Sequence, residues 1–338
     1  MLKDTQQYLT SYNLARQSDV VFSEILSDEQ FKKIGTENYH ILTKNDDLVF
    51  YRNNSFEINE NDVLFVNSMT IKHLFHHLNK LNNLKNIKLI THQTDISIDK
   101  KLFSIKPKCV SEWYSPNISY AHPALKVIPL GIANNYSKKN LLINDLMTIT
   151  KKKEKKEKLY LNFVESTNRS KRVNIYDYFR TKKWVVVDDP ILSLGEYKER
   201  LNDHKFILCP PGNGVDTHRV WESLYLGSIP VVEKNIVNQQ YAGLPIITYT
   251  KLEELTFEYL DYESSKLKEN FDLLTIDKWW EILKDKTINN SASVSVKIEP
   301  SKLSNFYYDI MNSLSRKRES YFKKLNYRYL QIKRIVKF

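Results

Sequence analysis

The chain alternates short apolar runs with stretches whose apolar positions recur every three or four residues, the pattern of strands wrapped by helices. Asp62 to Asn67 (DVLFVN) reads as a buried strand. Ser68 then caps a helix with Ile71, Leu74, Phe75, Leu78 and Leu81 on one face. Asn86 to Thr91 (NIKLIT) is the next strand, which completes a βαβ unit, and Lys126 to Ile132 reads as a later strand ending in a turn. The alternation dissolves at a lysine-rich run and then restarts as strand 159–164, helix 173–179, strand 184–187, helix 197–201 and strand 206–209. Residues 210–232 (PPGNGVDTHRVWESLYLGSIPVV) follow as loop, helix, tight turn and strand, and the acidic stretch 253–269 reads as surface helices. The expected organisation is an α/β domain over 1–145, a linker over 146–158, a second α/β domain over 159–290, and a helical segment with a basic tail over 291–338.

A length of 338 residues is enough for two hydrophobic cores, and 41% hydrophobic with 27% charged residues is the balance of a folded globular protein. Met1 to Asn13 is polar and lacks the apolar core of a secretion signal, and no stretch reaches the roughly 18 apolar residues of a membrane span. A cytoplasmic location is therefore the default expectation. Cys109 and Cys209 sit in apolar runs as buried thiols, without disulfide or zinc spacing.

The net charge of +11 is unevenly placed. The run 151–158 contributes +4 and residues 316–338 contribute +8, which leaves the remaining chain near neutral. That distribution argues for a solvated linker and a contact with an anionic surface, not for a nucleic-acid-binding core, and no nucleic-acid partner is expected. In the tail, Tyr321, Leu325, Tyr329, Ile332 and Val336 recur at helical spacing among lysines and arginines. Such a helix either docks against the first domain or rests on an anionic membrane as a peripheral contact.

The candidate chemistry centres on residues 210–232. Gly212 and Gly214, between a strand end and a helix start, bring bare amides to where an anion can sit, although two glycines also make an ordinary turn. Arg219 on the first turn of the helix can hold a diphosphate in bidentate fashion or make a surface ion pair. Glu222, inside the apolar stretch VWESLYL, is a carboxylate that needs a buried partner, which a ribose diol would supply. In the first half, His92 and Asp95 directly follow a strand and emerge at its carboxyl edge; each is a candidate base, with a loop hydrogen bond and a helix cap as the respective alternatives. Trp113 can stack on a sugar or pack in the core, and Asn117 can reach substrate or form a turn with Pro116. His73, His76 and His77 read as a solvated helix face, and Asp188 with Asp189 as a strand-end turn, so no metal site is expected.

Residues 222–232 (ESLYLGSIPVV) resemble the donor-domain signature of GT-B glycosyltransferases, and with Pro210, Gly212, Asp216 and Arg219 the run is similar to exostosin-like members. Asn162, Phe163, Asn168, Arg169 and Arg172 resemble the basic loop after the first donor-domain strand, and the stretches 113–117 and 122–131 resemble exostosin-like chains. The resemblance implies two facing Rossmann-like domains with a C-terminal helix returning toward the first. It implies that Glu222 binds the donor ribose and that Arg219, Arg172, Asp216 and the glycine loop hold the diphosphate. Trp113 and Asn117 fall on the acceptor side. Position 214, eight before Glu222, is glycine where retaining enzymes carry a second carboxylate, which points to inversion. The expected reaction is transfer from a nucleotide-sugar co-substrate to a glycan or glycoconjugate hydroxyl, with no cofactor and no essential metal. The alternatives are a fucosyltransferase-like enzyme or nucleotide-sugar epimerase on the same scaffold, or a non-catalytic sugar- or nucleic-acid-binding module.

Overall fold

A computed structural model describes residues 2, 4–35, 38–148, 154–268, 271–284 and 294–314. In the first half the strands are β1 (Val20–Leu26), β2 (Tyr39–Lys44), β3 (Val49–Asn53), β4 (Phe56–Asn59), β5 (Val63–Asn67), β6 (Ile87–His92), β7 (Val110–Ser115) and β8 (Leu125–Val127). The helices are α1 (Ser11–Gln17), α2 (Asp28–Lys33), α3 (Ile71–Leu78), α4 (Lys100–Phe103) and α5 (Ile143–Met147). There follow β9 (Lys156–Leu161), α6 (Arg169–Phe179), β10 (Val185–Val187), α7 (Leu194–Asp203), β11 (His204–Leu208), α8 (His218–Tyr225), β12 (Ile229–Glu233) and β13 (Ile247–Tyr249). Helices α9 (Phe257–Lys266) and α10 (Ile276–Leu283), strand β14 (Ser295–Ile298) and a helix α11 over 302–314 complete the chain.

The result is a mixed α/β architecture. Seven strands form a sheet in the order β2-β3-β1-β5-β6-β7-β8, in which β1, β5, β6, β7 and β8 run parallel and β3 pairs antiparallel with β1 and β2. Strand β5 is buried at every position, which is why its sequence shows an unbroken apolar run. Five parallel strands form a second sheet in the order β10-β9-β11-β12-β13, and β14 pairs with β4 as a separate ribbon. Capping boxes start α2 (Ser27 with Gln30) and α7 (Ser193 with Glu196), each satisfying two amides the helix would otherwise orphan.

Several boundaries differ from the sequence pattern. The strand expected over 126–132 pairs only through Val127, because Pro129 has no amide to give and Gly131 turns left-handed at φ 70°. A side chain at Gly131 would lie 2.1 Å from the Leu9 carbonyl oxygen, so glycine is obligatory there. Helix α3 ends at Leu78 and leaves Leu81 in the following turn, while α6 begins at Arg169, four residues before its apolar pattern. Strand β9 starts inside the lysine-rich run. Antiparallel β2 and β3 extend a sheet of which the pattern showed only the βαβ part. The tail positions 321–336 lie outside the described residues, among which no helix is long and apolar enough to cross a membrane.

The hydrophobic core does not stop at the border between the sheets. One cluster runs from Leu9, Leu64 and Trp113 into Val220, Trp221 and Trp279, while a second lies on the far face of the five-stranded sheet around Phe179, Leu208 and Leu260. Polar struts cross the same seam. Asn117 accepts from the Val215 amide at 2.7 Å, Gln240 accepts from the Val127 amide at 3.0 Å, and Tyr225 accepts from the Leu9 amide at 2.8 Å.

Gly214 is needed at this seam for space, not for backbone conformation: a methyl group there would stand 2.7 Å from Asn117 Oδ1. Gly214→Ala is expected to lower stability by about 1–3 kcal/mol, the cost of a strained or broken buried hydrogen bond. Gly195→Ala, in the first turn of α7 with the nearest atom 4.0 Å away, serves as the control and should leave stability unchanged or raise it by up to about 1 kcal/mol. Urea midpoints of the two variants check the contrast.

Candidate functional site

The chain order of the second sheet reverses between β9 and β11: the chain leaves β9 through α6 to one side and returns to β11 on the other. Loops that diverge at such a point open a crevice at the carboxyl ends of the strands, where open α/β sheets bind ligands. A cavity of about 580 Å³ lies there, within the range of small-molecule sites. Its walls come from residues following β9, β10 and β11 on one side and from those following β6 and β8 on the other.

Helix α8 supplies the polar centre. Its N-cap, Thr217, makes no capping hydrogen bond, so the positive end of the helix opens unblocked where Thr217, His218 and Arg219 line the cavity. Arg219 donates its Nε to the Tyr197 hydroxyl at 3.1 Å, and its guanidinium lies over the Phe163 and Tyr197 rings at 5.9 and 5.6 Å. Both Nη groups are left without a protein partner among the described residues, presented to the cavity. Burial opposes the charge, but Tyr197, Cys209 and Glu222 outweigh it and raise the pKa further. One helical turn on, Glu222 accepts from the same Tyr197 hydroxyl through Oε2 at 2.9 Å. Its Oε1 is buried and makes no hydrogen bond of normal geometry among the described residues, although the Leu141 amide lies near the carboxyl. Burial pushes the Glu222 carboxyl above the usual range, with Arg219, His218, the Tyr197 hydroxyl and the Leu141 amide opposing in part.

Tyr197 on α7 therefore couples the arginine and the carboxylate through one oxygen. No local pattern signals it, because the coupling exists only once α7 and α8 pack together. His218 was also missed. Its Nδ1 donates to the Gly131 carbonyl at 2.7 Å, which fixes the tautomer and leaves Nε2 as a free acceptor lining the cavity. Asp95 lines the same cavity, exposed and without an ion pair or hydrogen bond among the described residues. It reaches that position because Gln93 adopts a left-handed φ of 66°, held by side-chain bonds to Ile25 and Ser11.

Other expected site residues have different work. His92 is buried, with Nε2 donating to the Pro129 carbonyl at 3.0 Å and Nδ1 accepting from the Gln93 amide at 2.8 Å. Burial takes its pKa down to about 4, and with both nitrogens committed it offers no lone pair to a substrate; the loop-hydrogen-bond alternative is the one observed. Trp113 is wholly buried, bonded to Thr91 and packed against Phe75 and Phe103, so it stacks on no sugar. Asn117 lies outside the cavity lining and ties the Val215 and Asp216 amides to the first sheet. Asp216 borders the cavity, yet both its oxygens are engaged by the Trp221 indole, the Leu130 amide and the Tyr241 hydroxyl.

Arg172 is neither solvated nor free. It donates to the carbonyls of Pro210, Pro211 and Val164 and to Thr167, four bonds that clamp the glycine loop to the loop after β9. Burial and the neighbouring Arg219 lower its pKa to about 10. Gly212 gives its guanidinium room, with a methyl there standing 3.1 Å from Nη2. The amides of Gly212, Val215 and Asp216 are already bonded within the protein, so the loop is less bare than its glycines suggested. His73 and His77 are buried under α11, not on a solvated face, and Asp188 pairs with Arg200. Among the described residues no three His, Cys, Asp or Glu side chains are grouped to hold a metal.

One cleft of this α/β chain thus brings together the Nη groups of Arg219, an open helix N-terminus and a buried carboxylate, groups with the chemistry to meet an anion and a hydroxyl. Residues 127–252, from the seam through the whole second sheet, match the family model for the RXYLT1 C-terminal domain. That match supports a glycosyltransferase. No curated protein matches the chain.

The buried carboxyl makes a pH test. Because the folded protein holds the Glu222 proton more tightly than the unfolded chain, its contribution to stability is full below the unfolded value of about 4.3 and is lost as pH rises through the raised value. Glu222→Gln should abolish that slope. Wild-type stability should fall relative to the variant by about 1.4 kcal/mol for each unit by which the pKa is raised, read from urea midpoints between acid and neutral pH.

Proposed function

We propose that the protein is a glycosyltransferase of the two-domain GT-B type, inverting and independent of metal, that moves a sugar from a nucleoside diphosphate to a hydroxyl of a glycan or glycoconjugate. The observation that carries this reading is the Arg219–Tyr197–Glu222 arrangement at the switch point of the second sheet. The free Nη groups of Arg219 and the open start of α8 receive the diphosphate, and Glu222 Oε1 accepts from a ribose hydroxyl, which relieves its unpaired burial. Phe163, Tyr136 and Tyr197 give the cleft flat surfaces for base or sugar.

In the transfer, the acceptor oxygen forms a bond to the anomeric carbon from the face opposite the leaving group, while the bond from that carbon to the diphosphate oxygen breaks. His218 Nε2 takes the acceptor proton, its Nδ1–H already held by Gly131. Asp95 on the opposite wall orients the acceptor. Arg219 and the helix end carry the charge that develops on the departing nucleoside diphosphate, and the absence of a second carboxylate at Gly214 favours inversion.

Calorimetry with UDP and GDP tests the donor site. The preferred diphosphate should bind, Arg219→Ala should weaken it at least about ten-fold while changing nucleoside binding little, and equal losses for both would remove Arg219 from the diphosphate. For the base, His218→Gln should lower turnover by about 10²–10⁴-fold with donor affinity nearly intact. A collapse of turnover in Asp95→Asn with His218→Gln unaffected would transfer that role to Asp95.

A further inference from the structure

Helix α11 packs with its polar side inward. Leu303, Phe306, Tyr307, Ile310, Met311 and Leu314 recur at three- and four-residue spacing and form one stripe, and all are exposed, by 43% to 78%. The opposite face, with Ser304, Asn305, Tyr308, Asp309 and Asn312, is partly buried. Its contacts are with β2, β3 and α3 of the seven-stranded sheet.

The orientation is fixed by charge. Asp309 faces Arg52 Nη2 at 3.5 Å and His40 Nε2 at 3.1 Å, and the Tyr308 ring stacks on His73 at 4.5 Å. Arg52 is 1% exposed and its Nε and Nη1 have no partner, so among the described residues Asp309 is its counter-charge. Rolling the helix to bury its apolar stripe would strand that guanidinium, a larger penalty than the exposed side chains incur. The stripe is thus held outward, and nothing among the described residues covers it.

We propose that this face rests on an anionic lipid bilayer, with the stripe inserted at the level of the acyl chains and the body of the protein above it. Charge selects the occupant. The sequence after the helix, residues 316–338, carries nine basic residues against Glu319. A second copy of the chain would add a second segment of like charge, whereas an anionic surface neutralises that charge. No described helix is long enough to cross, so the contact is interfacial. The arrangement places the cleft on a chain held at a membrane, but the inference stands on α11 and the charge of the sequence that follows it, and does not depend on the reaction proposed above.

Sedimentation of the full chain with vesicles tests it. At low ionic strength the protein should pellet with vesicles containing about one-third phosphatidylserine and stay in solution with pure phosphatidylcholine. Phe306→Ser combined with Ile310→Ser, both at exposed positions, should reduce the pelleted fraction by about ten-fold or more while leaving the melting temperature and solution turnover unchanged. Retention of wild type in the supernatant with anionic vesicles overturns the proposal, as does equal binding by the double variant. A chain that ignores vesicles but runs as a dimer, and as a monomer once the stripe is cut, assigns the face to a second copy and also overturns it.

Discussion

The placement of the site depends on one buried carboxylate. Asp216 takes hydrogen bonds from the Leu130 amide on the first-sheet side and from the Trp221 indole and the Tyr241 hydroxyl on the other, at 2.7–3.1 Å. Burial pushes its pKa up, and those donors oppose the shift without removing it. A carboxylate in such a position is tolerable only while every donor stays in place, so it holds two sheets in one relation more sharply than apolar packing can. The seam segment 127–132 answers with its own groups: the Gly131 carbonyl receives His218, and the Pro129 carbonyl receives His92. Cleft geometry and seam integrity are the same set of bonds.

This explains where sequence reasoning succeeded. The run 210–232 was readable because its signals are local: Gly227 at φ 68° ends α8, Pro230 enters the next strand, and the apolar face of the helix recurs at the right period. Arg219 and Glu222 are one turn apart on that helix, so their joint arrival in a cleft follows from spacing alone. The strand–helix alternation was likewise local, and the expected elements exist with shifted ends. Features set by tertiary contact were not legible. Tyr197 joins Arg219 to Glu222 only because α7 lies beside α8, and His218 acquires its tautomer from a carbonyl 87 residues away.

The misplaced residues sit at or near strand ends of the first sheet, where a polar or aromatic residue ordinarily meets ligand: His92 ends β6, Trp113 lies within β7 and Asn117 follows it. Here His92 is held by Pro129 and Gln93 of the same half, and only Asn117 meets the second half of the chain. Trp113 faces the core between Phe75 and Phe103, and Asn117 spends its carbonyl on the loop that a ligand would otherwise reach. The glycines suggest bare amides for an anion or an ordinary turn, but neither Gly212 nor Gly214 has a positive φ; each is small because Arg172 or Asn117 occupies the space a side chain would need.

One consequence concerns how the chemistry is divided. His218, Arg219 and Glu222 ride on a single helix of eight residues, so the distances among the proposed base, diphosphate clamp and ribose acceptor are set by helical geometry and not by the relative motion of the sheets. The N-terminal end of that helix is pinned by Asp216 through Trp221, and its C-terminal end by Tyr225, which bonds to Leu9 and Leu274. The first sheet contributes to the reacting centre mainly through Gly131, which orients the histidine, and through Asp95, carried on the strained turn at Gln93. A change in acceptor can therefore be accommodated by the loops after β6 and β8 without disturbing the arrangement on α8. On the proposed reading, selectivity for the acceptor and competence toward the donor are separable on this scaffold because one is built on loops and the other on a clamped helix.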